Sequence, residues 1–362
     1  VSQDHPAALP AWTLASPVVA ALVLAAALGG VGGAWMTGLT AVALVAAVLA
    51  AVHHAEVVAH RVGEPFGTLI LALAVTVIEA ALVVSMMLSG GPGADALARD
   101  TVFAAIMIVC NGVVGLCLLV GALRHHELEF RVAGTVPALS VLAALGTLTL
   151  VLPVFTITTP GPTFSTSQLA FAGIASLVLY GAFVFVQTVR HRDYFLPVDT
   201  DSEDAHAVPP TARATAISAA LLMVCLVLVV GLAKTLSPAI KAAVGAASAP
   251  PAVVGVAIAL LVLLPETMAA TRAAAKNRMQ TSFNLALGSA LATIGLTIPV
   301  VAAVSVALGL PLTLGLSGKE MVLFAITMLA SALTLAGGRA TVLQGAVHLV
   351  LFAAFLFLAV VP

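Results

Sequence analysis

The chain has 362 residues, 62% hydrophobic and only 8% charged, with a mean hydropathy of +1.19 and a formal net charge of −1. A soluble globular chain carries roughly 25% charged residues, so this one lacks the polar surface that water requires and must have the lipid bilayer as its partner. The near-zero charge excludes nucleic acid, which needs a clustered basic face, and Cys110, Cys117 and Cys225 lie in apolar runs without the CxxC spacing of zinc or redox sites.

About 17–25 apolar residues suffice to cross the hydrocarbon core as a helix. Taken in order, the candidate spans are 12–29, 35–53, 66–88, 102–123, 134–153, 168–189, 212–232, 251–271, 282–308, 319–336 and 340–361. The expected fold is therefore an all-α membrane protein of about eleven transmembrane helices. The first run is not preceded by a basic stretch, so it reads as a retained span rather than a cleaved signal peptide. Glycine and proline mark the boundaries: Gly29-Gly30, Gly90-Gly91-Pro92, Pro160-Gly161-Pro162, Pro209-Pro210, Pro250-Pro251 and Gly337-Gly338. Residues 234–249 read as an interfacial or partly helical connector.

Positive charge is retained in cytoplasmic loops. Arg61, Arg124, Arg131, Arg190, Arg192, Arg213, Arg272, Lys276, Arg278 and Arg339 fall on the side of the N-terminus. Arg99, Lys234, Lys241 and Lys319 fall on the other. This predicts a cytoplasmic N-terminus and an outside C-terminus in the plasma membrane. The polar stretch 190–211, acidic at Asp193, Asp199, Asp201, Glu203 and Asp204, then reads as a cytoplasmic linker. It separates residues 1–34, an N-terminal helix, and 35–189, a first five-helix repeat, from 212–362, a second. An odd number of spans per repeat inverts one copy relative to the other, an arrangement found in secondary transporters with a midplane substrate site. Aligning Leu71–Ala81 with Ile258–Met268 superposes Ala72 on Ala259, Val75 on Val262 and Glu79 on Glu266.

Those two glutamates are the leading site candidates. An ionised carboxylate at bilayer depth costs about 3 kcal/mol or more on insertion scales, so it faces a cavity or a partner. The plainer alternative for Glu79 is a protonated side chain bonded to a neighbouring helix. For Glu266 it is a kink with the carboxylate reaching water. Pro265 removes a backbone donor and frees a carbonyl one turn earlier, near Leu261 and Val262. Carboxylates with free carbonyls are hard oxygen ligands suited to Ca²⁺ or an alkali cation. Thr76, Leu263, Ser85, Asn111, Gly288 and Ser289 lie near the glutamates in their own spans or in the spans that follow. The small polar ones among them commonly serve helix packing instead. A cation at such a site competes with protons for the same carboxylates, which is the minimal machinery of exchange.

A third cluster is HHAEVVAHRVGEPFG, residues 53–67. His53, Glu56 and His60 share one helix face and can hold zinc, as in an intramembrane metal-dependent hydrolase. The plainer reading is a polar helix end at the interface whose histidines reach water. With Glu64, these groups are also candidates for pH sensing or gating. His125-His126-Glu127 reads as a solvated loop. A passive cation channel using Glu79 and Glu266 is a further alternative, as is assembly into a homo-oligomer.

The stretches HAEVVAHRVGEPFGTLILALAVTVIEAALVVSMML (54–88) and PETMAATRAAAKNRMQTSFNLALGSALATIGLTIP (265–299) resemble the two signature regions of bacterial ChaA-type cation/proton antiporters in the calcium/cation antiporter superfamily. The resemblance extends along the chain in its layout of spans and acidic linker. It implies an exchanger that needs no cofactor and exports Ca²⁺, Na⁺ or K⁺ against inward H⁺. It also implies that the two essential acids are Glu79 and Glu266, with a Lys-Asn pair at Lys276-Asn277 and a Gly-Ser pair at Gly288-Ser289. Many relatives carry asparagine three residues before each acid. Here those positions are Thr76 and Leu263, and a family glutamine near Ala292 is absent. Fewer side-chain oxygens then remain for Ca²⁺, which takes about six to eight, so the departure gives a monovalent ion more weight beside Ca²⁺ than is usual in the superfamily.

Overall fold

A computed structural model describes residues 10–63, 66–91, 93–196, 210–246 and 250–361. Glu64 and the centre of the acidic linker, with Asp199, Asp201, Glu203 and Asp204, lie outside the described residues. The protein is an all-α membrane protein. Its helices are α1 (Ala11–Leu28), α2 (Ala34–Val62), α3 (Phe66–Leu88), α4 (Leu97–His125), α5 (Val132–Val154), α6 (Thr166–Arg190), α7 (Ala212–Ala246), α8 (Ala252–Ala275), α9 (Met279–Leu308), α10 (Gly318–Ala336) and α11 (Val342–Val360). Every expected span falls on one of them. The sheet among the described residues is one short antiparallel ribbon, β1 (Leu128–Glu129) with β2 (Arg339–Ala340).

Three boundaries differ from expectation. α2 continues past His53 to Val62, because HAEVVAHRV holds good helix formers and no breaker before Gly63, which caps it at φ 78°. Residues 234–246 are not a separate connector: α7 runs straight through Pro238. α8 extends to Ala275, so Glu266 lies nearer its middle than the expected span 251–271 placed it.

Four stretches widen into π-helix: Ile108–Val113 in α4, Thr147–Val151 in α5, Val186–Arg190 in α6 and Thr293–Thr297 in α9. The wider turn leaves backbone carbonyls without their usual partners and is common at functional sites.

The chain divides into two compact units. Val1–Ser89 and Asp199–Gly245 form one, and Gly90–Val198 and Ala246–Pro362 form the other. In the first unit α2 packs between α1 and α3. α3 approaches the end of α2 at Gly67, where a Cβ would lie 2.6 Å from the Ala59 carbonyl oxygen. α7 joins through His54, whose Nδ1 is 3.2 Å from Ser218 Oγ while Nε2 is 3.1 Å from the Thr13 carbonyl.

In the second unit α8 packs against α4 and the first half of α9, and α4 also carries α11. α5 lies on α9 and α10, and α6 on the second half of α9. α4 is the most enclosed span. Nearly all of Leu97–Val114 is buried, which suits a central element that meets protein rather than lipid on most sides.

Candidate functional site

Each unit carries one of the two carboxylates in an apolar helix. Glu79 is 1% exposed near the middle of α3, and Glu266 is 7% exposed near the middle of α8. Burying an ionisable group in this way is costly, so the surrounding residues matter.

On α3, Thr76 is buried one turn before Glu79 and its hydroxyl donates to the Ala72 carbonyl at 2.8 Å. That bond uses the hydroxyl proton and leaves the oxygen lone pairs to face outward as acceptors. Ser85, also buried, lies further along the same helix.

On α8, Pro265 precedes Glu266 inside the helix. Thr267 donates to the Leu263 carbonyl at 2.7 Å, and Thr271 donates to the Thr267 carbonyl at 2.7 Å. The side of α8 beyond Glu266 is thus a run of hydroxyls, with Cys117 Sγ of α4 3.9 Å from Thr271 Oγ1.

Around α8 stand the π-helical middle of α4, which holds Asn111, and the start of α9, which holds Ser289. Both helices pass the span that carries Glu266. Ser289 is buried, and a Cβ built on Gly288 meets nothing within 4 Å, so this glycine leaves open space beside it. Asn111 points elsewhere: its amide donates to Thr327 Oγ1 of α10 at 2.8 Å, and its carbonyl oxygen faces His348 Nδ1 of α11 at 3.2 Å.

The Lys276-Asn277 pair closes α8. Lys276 is the C-cap, and Asn277 takes a left-handed φ of 60°, a conformation that asparagine tolerates better than most residues. Arg278 N–H then returns to the Ala273 carbonyl at 2.9 Å. His125, His126 and Glu127 are exposed at the end of α4. Glu127 and Glu129 both face Arg339 across the ribbon, at 3.7 and 2.8 Å.

The HHAEVVAH histidines do not act as a set. His53 Nδ1 is 4.0 Å from Glu56 and its ring lies 5.6 Å from that of Trp12, whereas His60 is exposed. The expectation that all of them reach water is corrected at His54, which is fully buried between Thr13 and Ser218. Among the described residues no three His, Cys, Asp or Glu side chains gather as a metal cluster. His54 and His348 were both visible as ionisable residues inside apolar runs, and that was the signal that could have singled them out.

The sodium/calcium exchanger protein family matches residues 32–189 and 217–361, nearly the whole chain. The chain belongs to that family. It is a cation antiporter of the membrane within the calcium/cation antiporter superfamily. A protein of Sinorhizobium fredii (strain NBRC 101917 / NGR234), provisionally named as the ionic transporter y4hA, is 48% identical over 99% of both chains. The sodium-potassium/proton antiporter ChaA of Escherichia coli (strain K12) is 35% identical over 52% of this chain and 51% of its own. The fold is also that of the Ca²⁺/H⁺ antiporter protein YfkE, with a TM-score of 0.72, 15% identity and coverage of 97% of this chain and 99% of that one. Membership in an exchanger family makes the chain a transporter and not an enzyme, so the hydrolase reading of His53, Glu56 and His60 falls away.

Proposed function

We propose that this exchanger exports a cation in return for H⁺ by alternating access, with Glu79 and Glu266 carrying both the cation and the proton. The observation that carries the reading is one buried carboxylate in the middle of an apolar helix in each compact unit. A buried carboxylate is neutral when protonated and neutralised when it holds a cation, so exchanging one for the other avoids the cost of a bare charge. That both glutamates serve one shared ion is the sequence's expectation from the inverted repeats. It predicts that the second substitution adds little loss to the first.

Thr76, Ser85 and Ser289 are hydroxyl groups able to complete a cation's shell, with the backbone oxygen that Pro265 frees one turn earlier, near Leu261 and Val262. The open space at Gly288 favours passage beside Ser289. Na⁺, K⁺ and Ca²⁺ are the candidate cargoes. The likeness to ChaA, a sodium-potassium/proton antiporter, and the thin supply of side-chain oxygens support the monovalent ions, and the likeness to YfkE, a Ca²⁺/H⁺ antiporter, supports Ca²⁺. His53, Glu56 and His60, toward the cytoplasmic end of α2, are retained as gating candidates, together with Glu64 of the same sequence motif. The excess of Arg and Lys on one side supports a plasma-membrane topology with the N-terminus inside and the C-terminus outside.

The test is a cation pulse given to inside-out vesicles that hold a proton gradient. Exchange collapses the gradient on addition of Na⁺, K⁺ or Ca²⁺, and Glu79→Gln or Glu266→Gln abolishes the response. A channel would conduct the same ions without moving protons, and that outcome would overturn the exchange mechanism.

A further inference from the structure

α4 and α11 meet backbone to backbone. A Cβ on Gly115 would lie 3.0 Å from the His348 Cβ and 3.1 Å from the Leu349 nitrogen, and one on Gly345 would lie 2.8 Å from the Leu119 nitrogen. This close approach presses His348, which is fully buried, against the π-helical segment Ile108–Val113. An amide oxygen only accepts, so His348 Nδ1 carries the proton and donates to Asn111 Oδ1 at 3.2 Å. Nε2, 3.1 Å away, then accepts from the Thr334 hydroxyl of α10. Asn111 Nδ2 donates to Thr327 Oγ1 at 2.8 Å, and Thr327 donates in turn to Met107 Sδ at 3.5 Å.

The result is a polar chain across three helices in an otherwise apolar bundle. Such a chain is tolerated only when each member is satisfied, and it then fixes geometry more sharply than apolar packing does. Its far side is the functional one, because the same segment of α4 packs against α8, which carries Glu266, and α9, which carries Ser289. The oxygen of Asn111, its one atom suited to a hard cation, is turned toward His348.

We propose that His348 is a positioning residue of exchange. It holds Asn111 toward α10 and α11, and thereby sets the π-helical segment of α4 against α8 and tunes cation affinity at Glu266. Asn111 acts as a clamp and not as a ligand. This rests on the reading of Glu266 as an ion-binding group.

Exchange in inside-out vesicles tests the assignment when the cation concentration for half-maximal response is read separately from the maximal rate. His348→Leu leaves the Asn111 oxygen without its donor and raises the half-maximal concentration roughly tenfold, with the maximal rate held within about twofold. His348→Asn keeps a donor near the Nδ1 position and restores affinity, whereas His348→Gln, whose amide reaches toward Thr334, does not. Melting temperatures in detergent accompany each variant. If His348→Leu does not fold, the Asn and Gln variants decide between them. Equal rescue by Asn and Gln, or wild-type affinity in His348→Leu, would overturn the positioning role and leave the function of Glu266 standing. Absence of exchange in the wild type would overturn both.

Discussion

Arg99 and Asp100 make the tightest ion pair among the described residues, and removing the arginine is a demanding test of the packing described here. Arg99 Nε donates to Asp100 Oδ1 at 2.8 Å, Nη2 lies 2.7 Å from the same oxygen, and Nη1 donates to the Gly315 carbonyl at 3.3 Å. The Asp100 side chain is 4% exposed and that of Arg99 18%. Gly255 of α8 abuts the Asp100 backbone, which leaves little room there for a compensating water. Breaking a fully buried pair by deleting one partner costs about 3–5 kcal/mol. Arg99 is partly solvated, and Asp100 borders a small cavity that Lys319 also lines, so Arg99→Ala is expected to cost about 2–3 kcal/mol. Thermal unfolding of purified protein in detergent measures this. The double variant Arg99→Ala with Asp100→Asn removes the stranded charge and should recover most of the loss. An unchanged melting temperature in Arg99→Ala, or strictly additive effects in the double variant, would refute the reasoning.

Two glycines make a matched pair. A Cβ at Gly255 would lie 2.9 Å from backbone atoms of Asp100 and Thr101, so Gly255→Ala should destabilise the protein by about 1–3 kcal/mol. Gly288→Ala, facing open space, should leave the melting temperature unchanged. At the end of α8, Asn277→Ala should cost about 1 kcal/mol at its positive φ while Asn277→Gly costs nothing, as denaturant titration of the two variants will report. His54→Ala removes a side chain bonded to both Thr13 and Ser218, and should lower stability by about 1–3 kcal/mol in the same titration.

Most of the fold was legible because the bilayer imposes it. Hydrocarbon thickness sets span length, and Gly-Gly and Pro-Gly pairs punctuate the loops, so each apolar run became a helix. Glu79 and Glu266 stood out because a carboxylate in such a run has to be explained. Other features left no such mark. π-Helical turns at Ile108–Val113 and Thr293–Thr297 have no side-chain period of their own. Residues 234–249 read as a connector, yet α7 passes through Pro238 and continues to Ala246. The grouping of α7 with α1–α3 depends on contacts distant in the chain, such as His54 with Ser218. Asn111 was visible as a polar residue inside an apolar span, but the direction of its amide depends on His348 and Thr327, more than 200 residues away in sequence.

The central claim is coupled exchange at the two buried glutamates. It is tested most directly by proton movement in inside-out vesicles on pulses of Na⁺, K⁺ and Ca²⁺, with the wild type beside Glu79→Gln and Glu266→Gln. The account predicts that at least one cation collapses the proton gradient in the wild type and none does in either variant. Full exchange retained in both variants, or no proton movement with any cation in the wild type, would contradict it.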